Sequence, residues 1–249
     1  MLQTLGIVQA CFASSCSRWR ATRKLGSKSV LEWIVRRATD CQQLDGVIVV
    51  TSDASENRFV ADLVPLDVPV FVGPQPDALG RFAAALEEYP AAAAVRICAD
   101  SPFVDPMLID RLVATARSNP QCDYVSYCSR DGRPAILSPV GVFAEWFRTS
   151  ALRKAARSAR SRADRERVTR YLYSHPEKFH LRLIPAPAGI DRDDVRLTCQ
   201  MEEDWENALT IFEALGPEEL DWQRIAQLLD HQPALRQRMA ALNRVHTQG

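Results

Sequence analysis

Three segments carry side chains that could do chemistry. The first runs from Gln9 to Arg20 and closes on a basic cluster of Arg18, Arg20, Arg23, Lys24 and Lys28. A loop between the first strand and first helix of an α/β sheet is a natural phosphate cradle, because N–H groups and cations there can face an anion. This loop has no glycine before Gly26, which makes close backbone approach to a phosphate harder. The same residues also read as a solvated basic loop. The second segment is Cys98-Ala99-Asp100-Ser101-Pro102-Phe103-Val104-Asp105-Pro106. A carboxylate just past a buried strand can hold Mg²⁺, which takes one or two carboxylates together with substrate phosphates. Asp100 reads either that way or as a turn residue, whereas Asp105 before Pro106 reads as a helix N-cap. The third segment, Phe147 to Arg170, has nine basic and two acidic residues. It fits a solvated helical face, a nucleic-acid patch or a polyanion site. Without aromatic interleaving beyond Phe147, a base-stacking platform is not expected. His175, His180, His231 and His246 show no metal-ligand spacing, and neither G-x-S-x-G nor H-E-x-x-H occurs. Asp53 reads as a cap or turn residue.

The elements that must position these segments alternate. Strands are predicted at Leu5–Val8, Val47–Thr51, Val68–Val72, Ala93–Cys98 and Tyr124–Tyr127, from short apolar runs rich in β-branched residues. Helices are predicted between them at Val30–Ala38, Ala54–Leu63, Leu79–Tyr89 and Met107–Ala116, with Pro106 in a first turn. This alternation implies a mostly parallel sheet with helices on both faces. In such sheets the ligand sits beyond the carboxyl ends of the strands, so the loops after Gln9, Thr51, Val72 and Cys98 matter most. The second half predicts strands at Val140–Phe143, Phe179–Ile184 and Val195–Cys199. Its predicted helices are Ser150–Ala159, Arg165–Tyr173, Glu202–Leu215, Asp221–Leu229 and one opening at Pro233. No linker or repeat divides the chain, so residues 1–249 are expected to form one domain with a C-terminal helical extension from about 202.

Composition narrows the class. The 249 residues are 47% hydrophobic and 25% charged, as in a soluble globular protein. Lys plus Arg and Asp plus Glu both total 31, so no whole-chain attraction to nucleic acid or anionic membrane is indicated. The seven cysteines are odd in number and contain no C-x-x-C, which argues against a disulfide framework and a common zinc site. No signal peptide or membrane span is expected, and the expected compartment is the cytoplasm.

The order of segments resembles the cytidylyltransferases that activate sugars as CMP derivatives, especially the spore-coat polysaccharide biosynthesis branch. The resemblance rests on Gly26-Ser27-Lys28-Ser29-Val30-Leu31-Glu32-Trp33, Val49-Val50-Thr51-Ser52-Asp53 and Ala78-Leu79-Gly80-Arg81. It continues through Val95 to Pro106, Asp123-Tyr124-Val125-Ser126, Arg165-Glu166-Arg167-Val168-Thr169 and Leu197 to Asp204. It covers roughly residues 5–215. The resemblance implies a three-layer α/β/α nucleotide-diphospho-sugar transferase fold, Rossmann-like, with a mostly parallel sheet. It implies attack of a sugar hydroxyl on the α-phosphate of CTP, release of pyrophosphate, and a role in surface polysaccharide or glycan synthesis. By the same resemblance Gln9, Ala10, Ser14, Arg18, Arg20 and Arg81 contact the nucleotide. Arg20 and Asp100 are catalytic, Asp100 holds Mg²⁺, and Arg167 contacts the sugar. A homodimer is compatible with it.

The departures fall on the chemistry. Cys11 and Cys16 stand where the family has arginines, Ala13 and Trp19 replace glycines, and Arg18 replaces a proline. Arg20 stands for a lysine, Gly80 for an aspartate, Arg167 for a histidine, and Gln200 for the second metal aspartate. Two absent arginines would cost about 5–8 kcal/mol of transition-state stabilisation if additive. The expectation is weak or absent Mg²⁺ binding and impaired turnover. The alternatives are a catalytically silent nucleotide-binding or partner protein on the same scaffold and, more remotely, nucleic-acid binding through 147–170.

Overall fold

The computed structural model describes residues 2–12, 18–74 and 76–247. Among them nine strands form: β1 Leu2–Gln9, β2 Lys24–Leu25, β3 Lys28–Ser29, β4 Gly46–Ser52, β5 Val70–Gly73, β6 Ala91–Cys98, β7 Tyr124–Cys128, β8 Glu145–Arg148 and β9 Leu181–Pro185. All but the small β2–β3 hairpin join one sheet in the order β5-β4-β1-β6-β8-β7-β9. Neighbours are parallel except β8, which runs antiparallel to both β6 and β7. The helices are α1 Trp19–Thr22, α2 Val30–Thr39, α3 Val60–Leu63, α4 Ala78–Glu88, α5 Pro106–Ser118, α6 Thr149–Ser158, α7 Arg162–Glu166, α8 Arg170–Tyr173, α9 Glu202–Leu215, α10 Trp222–His231 and α11 Pro233–Thr247.

Strand alternation divides the core into two layers. Val8, Val49, Val95 and Ile97 face one side, against α2, α5 and the C-terminal helices. Leu5, Ile7, Ile48, Val50 and Ala94 face the other, against α4, α6 and α8. Because both faces are covered, the central strands read as continuous apolar runs. Local chemistry sets the helix starts. Ser29 accepts the Glu32 N–H at 3.1 Å, Asp77 the Gly80 N–H at 2.8 Å, and Asp221 the Arg224 N–H at 2.9 Å. Asp105 is the expected N-cap, accepting the Leu108 N–H at 3.0 Å. Its second oxygen accepts the Trp222 N–H at 2.9 Å, so one carboxylate ties the starts of α5 and α10 together.

Four expectations need correction. Val140–Phe143 is buried but not a strand; the strand is Glu145–Arg148, in which Phe147, at the head of the basic segment, is fully buried. Val195–Cys199 is buried but belongs to no sheet. Gly141, at φ +71°, lets this segment pass so close that a Cβ there would stand 2.7 Å from the Thr198 nitrogen. The Leu197 and Thr198 N–H groups go to the Pro139 carbonyl and that of Cys199 to the Asp100 carbonyl instead of a ladder. The helix expected at Arg165–Tyr173 is broken into α7 and α8, with Arg167 extended between them. After that break Thr169 turns inward and donates to Glu145 at 2.7 Å. Ala54–Leu63 is a 3₁₀ turn, Ser55–Asn57, followed by the short α3, and the Asn57 side chain reaches from that turn to bind the first loop. No helix among the described residues is long and apolar enough to cross a membrane.

Candidate functional site

The strand ends before Ala10, Ser52 and Asp100 meet at one edge of the sheet. Ala10 donates its N–H to Val50 at 3.0 Å and accepts the Thr51 hydroxyl at 2.7 Å, while Ala99 donates to Gln9 at 3.2 Å. The first loop is pinned at its start by Asn57, which is 2% exposed. Asn57 accepts the Phe12 N–H at 2.8 Å and donates to the Phe12 carbonyl at 3.3 Å and to Ser52 Oγ at 2.8 Å. Ser14, and with it Ala13 and Cys16, lies outside the described residues. After the loop, Arg18 is exposed and stacks over the Phe59 ring at 4.6 Å. Arg20 lies near enough to draw the Cys199 thiol downward against the burial that pushes it up. Its Nε is buried without a hydrogen-bond partner among the described residues. Arg23 is spent on the fold: it pairs with Glu202 at 2.5 Å and sits over the Trp19 and Trp205 rings at 4.8 and 5.4 Å.

Arg81 reaches the same loop from α4. It is 3% exposed, donates to the Pro74 carbonyl at 2.9 Å and to Cys11 Sγ at 3.2 Å, and keeps a buried Nε without a partner. Burial raises the Cys11 thiol above its ordinary value despite Arg81, so Cys11 brings no charge at neutral pH. Gly80 has a local reason. The Asp77 carboxylate occupies the space a Cβ at 80 would need, while it caps α4 and pairs with Arg165.

Asp100 and Gln200 come together across 100 residues of sequence. Gln200 Nε2 donates to Asp100 Oδ2 at 3.0 Å, Ser101 Oγ donates to Oδ1 at 3.2 Å, and the Cys199 N–H closes on the Asp100 carbonyl at 2.7 Å. Both residues line a cleft of about 840 Å³ walled by the 129–141 and 191–200 segments and by α11. What brings Gln200 there is a buried pair that sequence reasoning missed. Arg196 and Asp204, with side chains 2% and 0% exposed, bond at 2.6 and 3.1 Å. Asp204 also accepts the Gln200 and Met201 N–H groups at 2.9 and 3.1 Å. The only sequence signal for it is an arginine inside the apolar run Val195–Leu197.

A second buried network lies behind Gln9. Arg96 Nη1 donates to Gln9 Oε1 at 2.9 Å, and Arg96 Nε donates to Glu145, which is 0% exposed. Glu145 also accepts the Tyr124 hydroxyl at 2.5 Å and Thr169 at 2.7 Å. Burial opposes the Arg96 charge, but the adjoining Cys98 and Glu145 hold its pKa above the ordinary value. Burial pushes the Cys98 thiol up to about 12. With its oxygen engaged by Arg96, Gln9 is left with its amide N–H groups to offer. Arg167 is exposed and does not line the Asp100 cleft; its charge opposes the burial and the Glu145 charge that push the Tyr173 phenol up. Most other cations of the basic segment serve the fold. Arg148 binds the Cys122 carbonyl, Lys154 the Lys178 carbonyl, Arg165 binds Asp77, and Arg170 binds Asp164.

The side chains around Asp100 set how Mg²⁺ could be held. Among the described residues no three His, Cys, Asp or Glu side chains gather around one point. Asp100 supplies one carboxylate, and Gln200 turns a donor toward it. This fits an ion held by one carboxylate and the substrate's own phosphates, and not a protein cage.

A mostly parallel sheet with helices on both faces and polar groups at its carboxyl edge defines a Rossmann-like nucleotidyltransferase scaffold. The family described as Cytidylyltransferase matches residues 5–244, and the chain belongs to that family. It is 26% identical over 222 residues to the spore coat polysaccharide biosynthesis protein SpsF of Bacillus subtilis, covering 87% of this chain and 89% of that one. Its fold resembles a cytidylyltransferase from Leptospira borgpetersenii, with TM-score 0.83, 21% identity, and 95% and 98% of the two chains covered. It also resembles a CMP:2-keto-3-deoxy-manno-octonic acid synthetase complexed with CTP, with TM-score 0.64, 12% identity, and 85% and 99% covered.

Proposed function

We propose that this chain binds CTP at the carboxyl edge of the sheet and transfers CMP to a sugar in surface polysaccharide or glycan synthesis, with slow turnover. In the reaction a sugar hydroxyl oxygen forms a bond to the α-phosphorus. The bond from that phosphorus to the bridging oxygen breaks, pyrophosphate leaves with the bond electrons, and the hydroxyl proton passes to solvent. The protein's part in such a transfer is almost entirely positioning and charge stabilisation. Arg81 and Arg20 each keep a buried Nε–H without a partner beside the first loop, donors suited to phosphate oxygens. Gln9, held from behind by Arg96, offers amide hydrogens to the nucleotide. Mg²⁺ held by Asp100 and the triphosphate would neutralise charge on the phosphates.

The observation that carries slow turnover is the Gln200–Asp100 hydrogen bond. A neutral amide occupies the place where the resemblance puts a second carboxylate, and neutral Cys11 stands where it puts a guanidinium. The experiment is calorimetry with CTP and Mg²⁺, followed by pyrophosphate release with a panel of acidic and neutral sugars. Measurable CTP binding with turnover well below 1 s⁻¹, about the low end for enzymes, is expected. Turnover near 1 s⁻¹ would overturn the slow reading, and absence of CTP binding would overturn the function. CTP binding with no pyrophosphate from any sugar would favour a silent binding protein.

A further inference from the structure

Four of the five arginines that wall the Asp100 cleft are already engaged. Arg196 is locked in the buried pair with Asp204. Arg192 is held by Asp194 at 2.8 and 2.9 Å and by Asp230 at 2.6 Å. Toward the rim, Arg130 pairs with Asp193 at 2.9 Å and Arg133 with Asp131 at 2.6 Å. Arg244, exposed on α11, is the one lining guanidinium without an ion pair among the described residues. Asp100 and Asp191 add negative charge to the same wall. The cleft therefore presents no surplus of positive charge beside the position of Asp100.

One polar group in the wall lacks a partner. Thr198 is 5% exposed and lines the cleft, yet its Oγ1 makes no hydrogen bond. The close pass of Gly141 fixes its backbone, and the Arg196–Asp204 pair fixes the segment on either side of it. A buried hydroxyl left unpaired is costly, and a ligand hydroxyl is its natural complement.

Resting on the reading of the chain as a sugar cytidylyltransferase, we infer that this cleft takes an uncharged sugar in preference to a sugar acid, with Thr198 Oγ1 bonded to a sugar hydroxyl. A sugar carboxylate buried here would lose its water and find no free guanidinium fork on the floor. A neutral polyol meets a floor of neutral or accepting groups, Thr198, Gln200 and Asp100. Charge thus excludes one class, and the orphan hydroxyl selects the other.

The test compares 3-deoxy-manno-octulosonate with its C1 carboxamide, which differs in charge and hardly in shape. Both are titrated by saturation-transfer NMR into the full chain, alone and saturated with α,β-methylene-CTP and Mg²⁺. The carboxamide is expected to bind at least tenfold more tightly than the carboxylate. Thr198→Val should weaken the carboxamide at least fivefold while leaving the affinity for the nucleotide analogue unchanged. Arg244→Met should leave both sugars unchanged. Equal or tighter carboxylate binding, binding of neither sugar, or a carboxylate affinity that falls in Arg244→Met would overturn the inference. Failure of the nucleotide analogue to bind would instead count against the proposed function, and the sugar comparison on the free chain still decides the inference.

Discussion

Removing Asp204 should cost more stability than removing any one surface charge. Its carboxylate is fully buried and accepts four hydrogen bonds, two from Arg196 and one each from the Gln200 and Met201 backbones. In Asp204→Ala the Arg196 guanidinium stays buried without its counter-charge, a defect worth about 3–5 kcal/mol. At roughly 2–4 °C per kcal/mol for a chain of this size, the melting temperature should fall by about 6–20 °C. The same change frees the backbone of Gln200, so its contact with Asp100 loosens as well. Paired replacement tests the cause. Arg196→Met with Asp204→Leu removes both charges and fills similar volume, and buried pairs replaced this way often lose little stability. The double variant should recover most of the single variant's loss in urea denaturation, giving a large coupling energy. A loss under about 1 kcal/mol in Asp204→Ala, or no recovery in the double variant, would refute the claim that this pair organises the Gln200 segment.

Gln200→Asp places a second carboxylate against Asp100 and should tighten Mg²⁺ binding; an unchanged affinity by calorimetry would count against Asp100 as the metal ligand. Asn57→Ala removes the clamp on Phe12 and should cost about 1–3 kcal/mol in thermal unfolding and weaken CTP binding. Retained CTP affinity would detach the first loop from the nucleotide. Hydrogen bonds from Arg192 hold the Asp194 carboxyl below its ordinary range. Its contribution is therefore complete above an unfolded value near 3.9 and lost as pH falls through the depressed folded value. Asp194→Asn should destabilise the chain at pH 6 and converge with wild type in urea midpoints as pH falls below about 4; a difference constant with pH would refute this.

Much of the scaffold was legible because its cues are local. The β-branched run Val47–Thr51 becomes β4, the Ser29, Asp105 and Asp221 caps start α2, α5 and α10, and Glu202–Leu215 becomes α9 with those limits. The switch-point rule placed the ends of β1, β4 and β6 at one edge, and Asp100 with them. Where the prediction failed, a long-range contact outweighed local preference. Val195–Cys199 has strand-like residues, yet Gly141 and the Pro139 and Asp100 carbonyls hold it off every sheet edge. Arg165–Tyr173 has helical spacing, but the chain bends beside Glu145, which Thr169 reaches from the far side of the break. The tertiary structure alone decided which charges are spent and which are offered. In sequence Arg18, Arg20 and Arg23 are three similar cations beside one loop, and Arg81 lies far along the chain. In the fold Arg23 is taken by Glu202, Arg18 lies over Phe59, and Arg20 and Arg81 keep buried N–H groups unpaired. Residue type sets whether a group can carry charge or donate a hydrogen bond. Whether that capacity is free depends on partners brought in from distant segments, such as Asp204 for Arg196 and Glu145 for Arg96.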